Sequence, residues 1–218
     1  VSNTTTITVL GATGRTGRPL VAQALDRGFS VVAFVRDASG LDVEHDRLTV
    51  VEGDAYTGEG VGDAVAPGGD PVDAVVSVLG QSRGTPDDLL TVAGRNVMTA
   101  MADHGVDRYV TLVGAGVRTD RETPSLGGRA MNTVMKLLAR EVLADASTHA
   151  KEVADSDLRW TVVRPPRLTE EAGTGDYEAG YLTLGARDSL AREDLATFLL
   201  DCVEDDAYVG DLPNVTGR

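Results

Sequence analysis

Apolar residues in this chain come in two rhythms. Dense runs occur at 7–10, 29–35, 48–52, 73–79, 109–113 and 159–164, rich in valine and other β-branched residues. Runs that are apolar at successive positions suit strands buried on both faces of a parallel sheet. Between them apolar residues recur every three or four positions, as on a helix packed by one face. A first helix follows Pro19-Leu20-Val21, and 58–70 carries at most a short, glycine-interrupted one. A longer helix runs from Pro86, at its first turn, through Leu89, Leu90, Val92, Ala93, Val97, Met98 and Met101 to His104, where Gly105 ends it. Two more helices are predicted at 131–142 and 149–154 after a polar, glycine-rich loop at 118–129, and a last one at 191–203. A short strand is predicted at 181–184.

Strand and helix alternating in this way give an α/β fold, a doubly wound parallel sheet with helices on both faces. No repeat or low-complexity linker divides the chain. Residues 1–218 therefore read as a single domain, with 165–190 as a small substrate-side region. Ligands of such sheets bind beyond the carboxyl ends of the strands, where strand order reverses. The residues that follow each strand are thus the ones to examine.

After the first strand stands Gly11-Ala12-Thr13-Gly14-Arg15-Thr16-Gly17. The first glycine permits a tight turn, the second a close approach of backbone to ligand, and the third close packing of helix on strand. Unpaired N–H groups and the positive end of the helix dipole make the turn an anion site suited to a pyrophosphate. This is the fingerprint of a dinucleotide-binding, NAD(P)-type Rossmann fold. After the second strand comes Arg36, followed by Asp37. An acid at this place suits the ribose 2′-hydroxyl of NAD, and an arginine suits the 2′-phosphate of NADP. Arg36, with Arg15 inside the turn to reach the same phosphate, favours NADP over NAD. Asp54 after the third strand is a candidate acceptor for the adenine amino group, with Ala55 beside it. Leu79 and Gly80 let backbone pass close to the ribose and pyrophosphate.

The chain carries 34 acids against 20 basic residues, a formal net charge of −14. Such a surface repels nucleic acid and anionic membranes, so neither is an expected partner. Lys136 and Lys151 are the only lysines, and scattered aspartates carry much of the negative charge. That composition is similar to proteins working in molar salt, where surface acids are screened within about 3 Å. Cys202 is the single cysteine, no apolar run spans a bilayer, and the N-terminal stretch lacks the pattern of a secretion signal. The expectation is a soluble, cytoplasmic protein, a monomer or weak homo-oligomer.

Carbonyl reduction needs a proton donor beside the hydride acceptor, commonly a tyrosine with a lysine four residues later. None of Tyr56, Tyr109, Tyr177, Tyr181 and Tyr208 has one. Near the expected nicotinamide end stand Gly114, the Pro165-Pro166-Arg167 corner and Lys151. Arg167 and Lys151 are the candidates for catalysis, Arg167 as a holder of an anionic substrate group. His45, His104 and His149 with one cysteine make no metal cluster, and no Gly-x-Ser-x-Gly elbow is present.

The segments 11–17, Val35-Arg36-Asp37-Ala38-Ser39, Gly53-Asp54, Val78-Leu79-Gly80, Ala93-Gly94-Arg95-Asn96, 104–108 and Arg164-Pro165-Pro166 together resemble the atypical short-chain dehydrogenase/reductases of the NAD(P)H-binding, NmrA-like group. Within it they are most similar to the flavin reductase/biliverdin-IXβ reductases. The resemblance implies that Gly11, Thr13, Gly14, Arg15, Thr16, Arg36, Ser39, Asp54, Ala55, Leu79 and Gly80 contact NADP. It also implies departures: Gly114 replaces a serine after the fifth strand, Arg167 a histidine after the proline pair, and Gly40 a second arginine near the 2′-phosphate. The expected activity is hydride transfer from NADPH to a flat or anionic acceptor such as a flavin, quinone or tetrapyrrole. The alternatives are an NADP-sensing regulator without chemistry and a nucleotide-sugar epimerase or dehydratase.

Overall fold

A computed structural model describes residues 4–82, 84–117, 140–185 and 187–218. Six strands pair in parallel: β1 (Thr6–Leu10), β2 (Ser30–Val35), β3 (Leu48–Glu52), β4 (Ala74–Ser77), β5 (Arg108–Leu112) and β6 (Arg159–Val163). Their order across the sheet is β3-β2-β1-β4-β5-β6. The direction of winding reverses between β1 and β4, the place where ligands of such sheets bind.

Strand alternation explains the two cores. Ile7 and Val9, with Val31, Ala33 and Val35, bury themselves against α1 (Gly17–Asp26) and α5 (Arg192–Glu204). Leu10, Val32, Phe34 and Val75 point the other way, toward α2 (Val61–Val65), α3 (Leu89–His104) and α4 (Arg140–Ala154). The period-2 geometry of a strand thus feeds both faces of one sheet. Thr8, buried among apolar neighbours on the second face, satisfies its hydroxyl by donating to the Ala64 carbonyl at 2.5 Å.

Beyond β6 the chain makes two small sheets. Strand β7 (Arg167–Thr169) pairs in parallel with β9 (Ser189–Ala191), and β8 (Tyr177–Gly180) pairs antiparallel with β10 (Asn214–Gly217). Sequence patterning anticipated none of these placements. The short strand expected at 181–184 lies at Tyr177–Gly180 instead, where Tyr177 packs edge-on against Phe198 of α5. Strands of three or four residues with mixed burial carry too little alternation to be read, and their register is set by a distant partner.

Two helical expectations also change. The separate helices ending at 142 and starting at 149 are continuous from Arg140 to Ala154. Ser147 and Thr148, which lie between the two expected helices, donate back to the Leu143 and Ala144 carbonyls within the helix at 2.7 and 2.9 Å. Helix α3 begins at Leu89 rather than at Pro86, which lies in the preceding turn. Its first N–H groups are capped from outside: Asp145 of α4 accepts from Leu90 and Thr91, both at 2.9 Å. The loop expected at 118–129 and most of the helix expected at 131–142 lie outside the described residues.

Candidate functional site

The glycine turn follows β1 directly. Gly11 adopts φ +81, and a Cβ there would stand 3.1 Å from the Val78 carbonyl of the neighbouring strand end. At Gly17 a Cβ would fall 2.0 Å from the Gly11 carbonyl oxygen, so α1 can start hard against the turn only without a side chain. The Gly14 N–H closes the turn on Gly11 at 2.9 Å. An open cleft of about 250 Å³ runs over this turn, with Gly11, Thr13 and Gly14 on its floor.

One wall is the end of β2. Arg36 lines the cleft and makes no ion pair or side-chain hydrogen bond among the described residues. Asp37 is turned into its own loop, where it accepts from the Ser39 hydroxyl at 2.6 Å and the Ser39 N–H at 2.9 Å. These bonds hold its carboxyl below the usual range. At this corner the acid and Ser39 are bonded to each other, and the arginine lines the cleft. Arg18 of α1 braces the same corner, donating to the Thr13 carbonyl at 3.1 Å and the Gly40 carbonyl at 2.6 Å. It ties the glycine turn to the loop that follows β2. Sequence reasoning passed over it because it falls inside the helix, one residue past the fingerprint.

The far wall is Gly53-Asp54-Ala55-Tyr56 after β3. Asp54 folds into a tight turn and accepts from the Tyr56 N–H at 2.8 Å. Asn96 of α3 reaches across to donate to the Ala55 and Tyr56 carbonyls at 2.9 and 3.0 Å. The Tyr56 hydroxyl in turn donates to Asp88 at 3.1 Å, spanning the cleft toward the Ser82–Leu89 side. Tyr56, Phe34, Ser82, Thr85 and Pro86 were not anticipated as lining residues. For Tyr56 the signal was present, since it follows Asp54-Ala55 directly.

The remaining candidates divide between the cleft and other places. Leu79 and Gly80 line the cleft, whereas Arg15, Thr16, Gly17, Ser39, Gly114 and Pro165 do not. Gly114 is exposed after β5, with no atom within 4 Å of where its Cβ would stand. Pro165 is buried, and its carbonyl accepts from Ala115 at 3.1 Å, joining the ends of β5 and β6. Arg167 is exposed on β7. Lys151 is exposed on α4 and pairs with Asp155 one turn on, which raises its pKa. Arg15 pairs with Glu170 at 3.0 Å, and the Thr16 hydroxyl accepts from Arg192 at 2.9 Å.

Helix α4 also carries a polar side chain whose burial the sequence did not reveal. His149 of α4 sits against Gly94 of α3, its Nε2 3.1 Å from the Thr111 hydroxyl and its Nδ1 without a partner among the described residues. Burial pushes the imidazole down to about 4, partly opposed by Asp145 and Glu152. It is a neutral structural histidine. Among the described residues no group of three or more His, Cys, Asp or Glu is placed to hold a metal, and no helix is long and apolar enough to cross a membrane.

A family model described as NAD(P)H-binding matches residues 11–206. Among curated proteins, the chain is 29% identical over 180 residues to an uncharacterized protein of Bacillus subtilis, YwnB, covering 80% of this chain and 78% of that one. It is 26% identical over 233 residues to divinyl chlorophyllide a 8-vinyl-reductase of Arabidopsis thaliana, covering 97% of this chain but 53% of the reductase. The chain thus spans about half the length of that plant enzyme. Of solved structures, a candidate NADH-flavin reductase of Streptococcus pneumoniae matches with TM-score 0.77 at 18% identity, covering 98% of this chain and all 100% of that one. A short-chain dehydrogenase/reductase of Veillonella parvula, solved with NADP, matches with TM-score 0.76 at 17% identity, covering 98% and 94%. At these identities the structural likeness speaks for the fold.

Proposed function

Since the chain belongs to the NAD(P)H-binding family, we propose that it is an NADPH-dependent reductase of a flat acceptor such as a flavin, quinone or tetrapyrrole. The observation that carries the choice of cofactor is the corner after β2, where Arg36 lines the cleft with no ion-pair partner among the described residues and Asp37 is engaged by Ser39. A 2′-phosphate supplies the dianion this guanidinium lacks, whereas a bare 2′-hydroxyl wants the carboxylate that has been turned away. The cradle fits the rest of a dinucleotide. Gly11 and Gly14, on the cleft floor, would admit a pyrophosphate to the backbone, and Ala55, Tyr56 and Asp54 on the far wall would hold the adenine end.

Bound NADPH supplies the hydride. The protein's part is to orient the two partners and exclude alternatives. A flat acceptor suits a site whose nicotinamide side offers glycine rather than an acid: Gly80 and Gly114 both leave open space where a side chain would project. Tyr109 is fully buried with its pKa raised, and Lys151 is held by Asp155, so neither reads as a proton donor to a carbonyl. A flavin or quinone takes its proton from water after hydride arrives, so it needs none.

The relatives support the reading without fixing the substrate. One is a reductase of a chlorophyllide and one structural neighbour is a candidate NADH-flavin reductase. The test is NADPH oxidation against FMN, menadione and a biliverdin, followed by the loss of nicotinamide absorbance. Turnover with at least one, and slower turnover with NADH, is expected. Tight NADP binding with no oxidation above background across the panel would instead support a dinucleotide-sensing role.

A further inference from the structure

The glycine turn also carries a charged cluster built from residues that do not themselves line the cleft. Strands β7 and β9 pair with Thr169 opposite Ala191, so the next residues, Glu170 and Arg192, emerge side by side. Glu170 Oε1 accepts from Arg192 Nε at 2.8 Å and from Arg15 Nη1 at 3.0 Å. Arg192 is anchored by its other arm, with Nη1 donating to the Thr16 hydroxyl at 2.9 Å. Two guanidiniums, one from the glycine turn and one from the start of α5, therefore meet a single carboxylate oxygen.

We propose that Arg15 and Arg192 form an anion subsite for a phosphate or carboxylate carried by the acceptor, and that Glu170 occupies it until the acceptor arrives. The proposal rests on the reductase reading only for placing the acceptor beside the glycine turn. Three features support it. Both guanidiniums crowd onto Oε1, whereas a phosphate would give each its own oxygen in the bidentate manner arginine favours. The Arg192 side chain is only 14% exposed, against 60% for Glu170 and 75% for Arg15. The largely covered Arg192 is thus the fixed element, and its partners are solvent-facing groups held weakly enough to exchange. The nearby acids have partners of their own: Glu171 accepts from the Thr169 hydroxyl at 3.4 Å, Glu193 from the Gly173 N–H at 2.7 Å, and buried Asp194 from the Gly175 N–H at 2.8 Å. These bonds hold 173–175 on the head of α5, so Glu170 can swing out while the segment after it stays in place.

FMN and riboflavin share a ring system and differ in one phosphate, so they isolate the subsite. Their binding to NADP⁺-saturated protein is read by quenching of flavin fluorescence. FMN is expected to bind about tenfold or more tightly than riboflavin. Arg15→Ala is expected to bring FMN to the riboflavin level without changing riboflavin, and Glu170→Gln to tighten FMN further. Equal binding of the two flavins, binding of neither, or an FMN preference untouched by Arg15→Ala overturns the subsite. So does a loss of NADP⁺ affinity in Arg15→Ala, which would give that guanidinium to the 2′-phosphate. The two readings fail separately. Turnover of menadione without an FMN preference removes the subsite and keeps the reductase. An FMN preference that Arg15→Ala abolishes, in a protein that oxidises no NADPH, does the reverse.

Discussion

Protonation of His149 is expected to make this fold labile in mild acid. The imidazole is held at about 4 in the folded protein against 6.5 in the open chain, chiefly by burial. The groups around it are Asp145 and Glu152 on its own helix, Thr111 and Tyr109 on β5, and the Gly94 backbone on α3. Glu152 is itself paired with Arg95, which holds its carboxyl low, so it is poorly placed to rescue an imidazolium. A base whose pKa is lower folded than unfolded binds its proton preferentially in the unfolded chain. The stability it leaves intact is therefore complete above about pH 6.5 and is lost as pH falls toward about 4. Each tenfold difference in proton affinity is worth about 1.4 kcal/mol, so the interval amounts to about 3 kcal/mol, with a slope approaching one proton. His149→Gln keeps a polar partner for Thr111 and removes the titration. Urea unfolding of both proteins, at fixed salt from about pH 7 to about pH 4.5, measures the difference. The wild type is expected to lose about 2 to 3 kcal/mol more than the variant over that range. Parallel pH profiles would refute the claim that this imidazole is buried and neutral.

Gly94→Ala carries an unusual sign. Alanine in place of glycine inside a helix ordinarily stabilises by up to about 1 kcal/mol, but here the new methyl would stand 2.4 Å from His149 Nδ1. A loss of about 1 to 3 kcal/mol in the same urea assay is expected instead, and a gain would show that the two helices separate freely. Arg36→Ala is expected to weaken NADPH binding by about 10- to 100-fold, one charge-assisted contact, and to leave NADH unchanged. Equal losses for both cofactors in a fluorescence titration would place the 2′-phosphate elsewhere. Raising KCl from about 0.1 M to about 1 M is expected to raise the thermal midpoint, because screening shortens from about 10 Å to about 3 Å around a chain of net charge −14. A midpoint indifferent to salt would make the acidic surface irrelevant to stability.

What could be read in the sequence was whatever local chemistry alone decides. Five of the sheet strands and the glycine turn were legible because burial on both faces demands unbroken apolar runs, and because the Gly17 position next to the Gly11 carbonyl tolerates no Cβ; β3, at the sheet edge and without a buried residue, was legible from its β-branched run alone. The small strands β7 to β10 were not, since their pairing joins residues far apart in the chain, such as Asn214 with Gly180. Nor could the sequence reveal that Asp145 caps α3 from another helix, or that His149 lies under β5. Both depend on how helices pack across about 50 intervening residues, and a polar side chain shows no periodicity that would announce it.

The corner after β2 shows why neighbouring residues can be harder to interpret than distant ones. Arg36 and Asp37 sit side by side in the sequence, and either could meet a ribose, one as the reader of a phosphate and one of a hydroxyl. What separates them is Ser39, two residues on, whose N–H and hydroxyl both go to the aspartate. The short helical turn Ala38–Gly40 is then pinned to the glycine turn by Arg18. Cofactor choice in this reading is therefore made by a loop that contacts no reacting atom. Ser39→Ala should release Asp37 from its hydroxyl bond and bring the carboxylate back into competition with Arg36. The expected result is a narrower preference for NADPH over NADH, arising from weaker NADPH binding with NADH equal or improved. A preference unchanged by Ser39→Ala would mean that Arg36 prevails by its own position, with the serine merely filling the turn.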